Sequence, residues 1–155
     1  MIALLQRVTE ADVSVGGEIV GAIGGGLLVF LAVEHRDEAA HAQRLVDRLA
    51  AYRVFPDSAD RMNLSLVDVG GELLLVSQFT LAADTRRGLR PSFTTAAAPE
   101  LGERLFNVAV AHARSLLPGR VATGRFGADM KVRLINDGPV TFWLQIPTPG
   151  ETEQA

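Results

Sequence analysis

Asn136-Asp137-Gly138-Pro139-Val140-Thr141 separates two runs that alternate apolar and polar side chains. Before it, Met130, Val132 and Leu134 alternate with Lys131, Arg133 and Ile135. After it, Val140, Phe142, Leu144 and Ile146 alternate with Thr141, Trp143 and Gln145. Period-two alternation marks a half-buried strand. Asp-Gly between two such runs predicts a hairpin, because glycine tolerates positive φ. Pro139 pulls the other way. It donates no N–H to a ladder and belongs at a strand's first residue, an edge or a bulge. Gly-Pro therefore makes a stiff tip, poor in side chain, whose carbonyls are free to point at a neighbour. The plain alternative is a tight turn with no further role.

A second stretch, Ser77-Gln78-Phe79-Thr80-Leu81, ends a strand that begins near Glu72. On a strand, Leu73, Leu75, Ser77 and Phe79 share one face, and Leu74, Val76, Gln78 and Thr80 the other. The early part is apolar on both faces, which predicts burial on both. The polar residues around Phe79 then need partners or line a pocket.

The remaining elements follow in order. Residues 2–8 and 11–15 read as one continued strand, Gly16-Gly17 as a turn, and 18–23 as the returning strand. Gly24-Gly25-Gly26 leads into a buried strand at 27–33. A phosphate loop runs strand, glycines, helix, so these glycines are not one. Asp37 is the predicted N-cap of a helix reaching about Phe55, with Ala42, Leu45, Val46 and Leu49 as its buried stripe. Val69-Gly70-Gly71-Glu72 echoes Val15-Gly16-Gly17-Glu18 and predicts a second use of the same hairpin chemistry. A long connection from Leu81 to about Ala98 carries Arg86, Arg87 and Arg90. Loops of that length are often functional, and arginines there could meet RNA phosphates or simply be solvated. Pro99 opens a second helix with Leu101, Leu105, Val108, Ala109, His112 and Leu116 as its stripe. A further strand is expected at 121–125. The expected architecture is α+β: a mostly antiparallel curved sheet or partial β-barrel covered by two main helices. Residues 1–146 read as a single domain and 147–155 as a flexible tail.

Composition narrows the chemistry. A length of 155 residues fits one domain. The net charge of −3 argues against extensive duplex binding but leaves contact with one end of an RNA open. The absence of cysteine removes disulfides, thiol nucleophiles and thiolate metal sites. The longest apolar run is too short for a membrane span and there is no signal-peptide layout, so a cytoplasmic protein without membrane contact is expected. No histidine pair has zincin spacing and no G-x-S-x-G elbow is present, so neither a metal nor a cofactor is expected. Thr80 could be a nucleophile, but no base stands near it in sequence.

Together, Ser77-Gln78-Phe79-Thr80 and Asn136-Asp137-Gly138-Pro139-Val140-Thr141 resemble the two signature motifs of the D-aminoacyl-tRNA deacylase family. The opening Met1-Ile2-Ala3-Leu4-Leu5-Gln6-Arg7-Val8 resembles that of the family, as do Met62-Asn63-Leu64, Leu81-Ala82-Ala83-Asp84-Thr85 and Arg90-Pro91-Ser92-Phe93. The likeness implies a homodimeric hydrolase that cleaves the ester between a D-amino acid and the 3′ end of tRNA. It implies that a cis Gly138-Pro139 peptide enters the partner subunit's pocket, meets the substrate's α-amino group and leaves no room for an L side chain. Glycyl-tRNA should also enter. A thousandfold preference needs only about 4 kcal/mol, within reach of one overlap with a rigid turn. Ser77, Gln78, Phe79 and Thr80 would be the catalytic segment. In one scheme the N–H groups around Phe79 and Thr80 hold the oxyanion, Gln78 orients substrate or water, and the ribose hydroxyl assists. In the rival scheme Thr80 attacks directly. Two other classes remain: an RNA-binding module without activity, and a purely structural dimer.

Overall fold

One strand serves three partners in this fold. The computed structural model describes residues 1–147, so the expected tail lies, past Pro147, outside the described residues. Strand β1 (Ile2–Val15) pairs antiparallel with β2 (Glu18–Ile23), β3 (Gly26–Ala32) and the last strand, β8 (Met130–Gln145). Helix α1 (Ala39–Ala51) follows β3, then the short pair β4 (Phe55–Pro56) and β5 (Met62–Leu64) and the one-turn helix α2 (Leu66–Val69). Strand β6 (Glu72–Ser77), a 3-10 turn (Phe79–Ala82), helix α3 (Pro99–Leu116) and β7 (Val121–Thr123) complete the order.

The sheet order is β2-β1-β3-β6-β7, with β8 on the free side of β1. The β3/β6 and β6/β7 pairs are parallel and the three pairs made by β1 are antiparallel, so the sheet is mixed but mainly antiparallel, as expected. Parallel strands are covered on both faces, and Leu73, Leu74, Leu75 and Val76 are accordingly all buried. The end strands β2 and β7 approach each other at Gly21, where a Cβ would run into the Thr123 carbonyl. That approach nearly closes the sheet into a barrel.

Two large apolar clusters result, with a smaller third around Ile2, Ala32 and Ala82. Leu27, Val29, Leu31, Leu73 and Leu75 face the helices, while Val13, Leu28, Leu74 and Val76 fill the concave side with Met130, Val132 and Leu134. The α1 stripe is buried as its spacing predicts. The α3 stripe is rotated: Gly102, Leu105, Phe106, Ala109, Val110 and Ala113 are buried, and Leu116 is exposed. The buried face thus mixes the large Leu105, Phe106 and Val110 with the small Gly102, Ala109 and Ala113.

Several boundaries differ from expectation. Glu38, not Asp37, caps α1, with the Glu38 N–H donating to His41 Nδ1 at 2.8 Å. Asp37 is buried instead against the Met1 ammonium, at 2.8 Å. The helix ends at Ala51, short of Phe55, because Phe55 and Pro56 enter a strand. Gly70, at φ 65°, terminates α2, whereas Gly16 and Gly17 turn the β1–β2 hairpin, so the sequence echo has two structural causes.

The predicted hairpin at residues 136–140 does not form. Asn136 lies opposite Val8 and Thr141 opposite Gln6, so residues 137–140 face Arg7 alone. Both flanking runs pair with β1, which offers one continuous template, and the excess chain leaves the ladder as a wide bulge. Pro139 sits in it, as a residue without an N–H can.

Candidate functional site

Two structures built from the two sequence motifs make up the candidate site. The first is the bulge. Asn136 ties it shut: its Oδ1 accepts the Val140 N–H at 2.7 Å, and its Nδ2 donates to Val140 O at 3.2 Å and Thr141 Oγ1 at 3.1 Å. Arg7 braces it from beneath, donating through Nε to Asp137 O at 2.9 Å and through Nη1 to Val54 O at 2.6 Å. The Gly138-Pro139 peptide is cis. Gly138 has φ +150°, and a Cβ there would stand 2.5 Å from Val140 Cγ2 and 2.8 Å from the Val140 nitrogen. The tip has no space for a side chain at that position.

The second is the end of β6. The strand stops at Ser77, earlier than the sequence suggests, and the Gln78 N–H donates the last rung to Leu31 O at 2.8 Å. Phe79 and Thr80 then enter the 3-10 turn instead of continuing the two faces of a strand. A helical turn leaves its first N–H groups without internal partners. The Phe79 and Thr80 N–H groups indeed meet no acceptor among the described residues. Gln78 Nε2 donates to Thr80 Oγ1 at 2.6 Å. No carboxylate or imidazole is hydrogen-bonded to Thr80 among the described residues. His35 lies at Thr95 O, His41 in the α1 cap, and His112 against Asp47 between α1 and α3. No group of three or more His, Cys, Asp or Glu side chains suited to a metal occurs among the described residues.

Ser77, Gln78 and Phe79 open on a cavity of about 810 Å³. Its inner wall is apolar, with Phe106 and Phe126 at ring-centroid distance 6.2 Å. At the mouth the Phe79 and Phe93 rings lie 5.1 Å apart and tilted by 55°, both partly open to solvent. The cavity is wide enough for a planar base and a sugar. Sequence reading missed the walls from α3 and from residues 126–132, because nothing local marks a residue as lining a cavity built from distant segments. It also gave Arg7 no role, although the only charge in the apolar first half of β1 is a usable signal of a specific partner.

Within one chain the two structures stand apart. The bulge lies over β1 on its β8 side, and Ser77 is three strands away and about four residues further along. With strand spacing and rise this is roughly 15–20 Å. The loop arginines precede Phe93, which lines the cavity. Asp84 and Ser92 exchange backbone hydrogen bonds of 2.8 and 3.1 Å, closing residues 85–91 into a projecting loop. Arg86 folds back on Asp84, with Nε–Oδ1 at 2.9 Å and Nη2–Oδ2 at 2.8 Å. Hydrogen bonding from that guanidinium holds the Asp84 carboxyl well below the usual carboxylate range. No helix among the described residues is long and apolar enough to cross a membrane.

The chain matches the model of the D-Tyr-tRNA(Tyr) deacylase family over residues 4–145. It is similar to a D-aminoacyl-tRNA deacylase of Pseudomonas fluorescens, 63% identical over 94% of this chain and 99% of that one. It is likewise similar to one of Methylococcus capsulatus, 61% identical over 95% of each. Among solved structures it resembles a c-Myc DNA unwinding element binding protein, with TM-score 0.91, 38% identity, and coverage of 96% of this chain and 100% of that one. A probable eukaryotic D-amino acid tRNA deacylase shares the fold, with TM-score 0.84 at 18% identity over 94% of this chain and 98% of that one. With the family's match running nearly from end to end, the chain belongs to the D-Tyr-tRNA(Tyr) deacylase family.

Proposed function

We propose that the chain hydrolyses the ester of D-aminoacyl-tRNA at a site assembled from two copies, each supplying its Gly138-Pro139 tip to the other's cavity. The separation of the two motifs within one chain is the observation that carries this reading. A tip that projects from the sheet and a cavity with an open mouth complete each other only across an interface. Ile135, Phe142 and Trp143 on β8 leave apolar surface beside the tip for such a contact.

In this reading the terminal adenosine enters the apolar cavity, and the ester carbonyl lies against the Phe79 and Thr80 N–H groups. Water adds to the acyl carbon, the carbonyl oxygen takes up the negative charge, and those two donors stabilise it. The C–O bond to the ribose then breaks, the ribose oxygen takes a proton, and free D-amino acid and tRNA leave. One well-aimed oxyanion donor contributes about 3–4 kcal/mol. The partner's Gly138 and Pro139 carbonyls accept the α-ammonium group, which turns an L side chain into the wall of the turn. Glycine has no side chain to clash, so glycyl-tRNA is a substrate too.

Matched D-tyrosyl- and L-tyrosyl-tRNA in the presence of a chelator test the reading. Release of tyrosine from the D form alone is the expected result, and equal cleavage of both sinks the selectivity argument. Thr80 has only an amide donor on its hydroxyl and no base beside it, which favours assistance by the ribose hydroxyl of the substrate. Thr80→Ala is therefore expected to keep kcat within about tenfold of the parent chain. A fall of several orders of magnitude would restore Thr80 as the nucleophile.

A further inference from the structure

The loop closed by Asp84 and Ser92 carries Arg86, Arg87 and Arg90, and their surroundings separate them. Arg86 spends its fork on Asp84. Arg87 and Arg90 are exposed and make no hydrogen bond or ion pair among the described residues. Asp84 is the only acidic residue from 79 to 99, so two positive charges stand uncompensated there in a chain of net charge −3. Their position follows from the fold. Phe93 lies at the cavity mouth, and three residues span at most about 10 Å. The backbone of Arg90 is thus held within that distance of the mouth, and Arg87 stands equally close in sequence to the stapled Asp84.

We infer that Arg87 and Arg90, and not Arg86, grip the phosphates of the single-stranded 3′ end of tRNA where it leaves the cavity. This rests on the functional reading above, because an adenosine seated in the cavity must send its 5′ phosphate out past the mouth. Two arginines suit a single strand and are too few for a duplex groove. Arg86 holds the loop's shape through Asp84 while adding little net charge. The division explains why a strongly basic loop keeps one carboxylate at its root.

The salt dependence of kcat/KM on D-tyrosyl-tRNA is the measurement. Each single-strand phosphate contact contributes about 0.7 to the log–log salt slope. Arg87→Gln with Arg90→Gln should flatten that slope by about 1.4, a deficit of about 25-fold at 0.1 M salt that closes toward 1 M. Arg86→Gln should leave the slope as it was, and Arg87→Lys with Arg90→Lys should keep it, since the charge stays. Failure of the unsubstituted chain to cleave D-tyrosyl-tRNA overturns the functional reading and this inference with it. Cleavage by the double glutamine variant with the parental slope overturns the inference alone, as does an equal flattening by Arg86→Gln.

Discussion

Gly138→Ala is expected to lower kcat/KM on D-tyrosyl-tRNA by at least about 100-fold, the scale of loss that follows from displacing reacting groups by about an ångström. The cause is local. The new Cβ would meet the Val140 nitrogen at 2.8 Å as well as Val140 Cγ2, so a rotamer change cannot relieve the clash. The φ of +150° is also one that alanine rarely adopts. The tip must move, and its carbonyls move with it. On the proposed reading the tip acts on the partner's cavity, so the defect should be repairable in trans. Phe79→Pro removes one of the two proposed oxyanion donors, with the ring, from the first position of a helical turn, where proline is well tolerated. Each variant alone should be nearly inactive. After subunit exchange, an equal mixture should recover about one quarter of the parental activity, since half the dimers are mixed and each has one intact site. Sedimentation and thermal melts establish that both variants fold and associate. No recovery despite exchange would place both motifs in one chain's site. A Gly138→Ala variant that melts earlier but turns over normally would favour a purely structural dimer.

The two stretches of the candidate site are conspicuous in the sequence, but their shapes are not. The Gly138-Pro139 and Ser77–Thr80 stretches stand out as polar or stiff interruptions of apolar strands. Their conformations, however, depend on partners far away in the chain. A hairpin and a bulge share the Asp-Gly signal, and the difference is made by β1, which pairs with both halves of β8. Ser77 to Thr80 alternate like a strand, yet the chain turns after the last rung to Leu31 because β3 ends there. The α1 stripe was readable because its large apolar residues define one face. The α3 face was only partly read: Leu105 and Ala109 are buried as expected, but Gly102, Phe106, Val110 and Ala113 complete the buried face in place of Val108, His112 and Leu116. The parallel pairing of β3 with β6 has no local signature beyond apolar runs, which antiparallel strands in a core also show.

Asp37→Asn is expected to cost about 3–5 kcal/mol of stability, the range for breaking a buried ion pair from one side. Asp37 looked like a helix cap in sequence, and its true position makes the prediction. One carboxylate oxygen accepts from the Met1 ammonium at 2.8 Å and the other from the Glu34 N–H at 2.7 Å. Both the ammonium and the Asp37 side chain are inaccessible to solvent. Asparagine has one acceptor for two donors, so its NH2 must face either an N–H or an ammonium. The ammonium keeps Glu34 Oε2 at 2.8 Å and Ile146 O at 3.1 Å, which limits the loss without removing it. The same charge anchors the end of β8, because the Ile146 N–H donates back to Met1 O at 2.9 Å. Loosening it frees the strand that carries the Gly138-Pro139 tip. Urea unfolding should show a lower midpoint with an unchanged slope, and the melting temperature should fall by about 10 °C. Glu34→Gln is the companion variant: its side chain is partly solvated and one of two carboxylates remains, so a loss below that of Asp37→Asn is expected. Equal losses from the two would mean that the ammonium's total charge balance, and not the two-donor geometry at Asp37, holds the terminus in place.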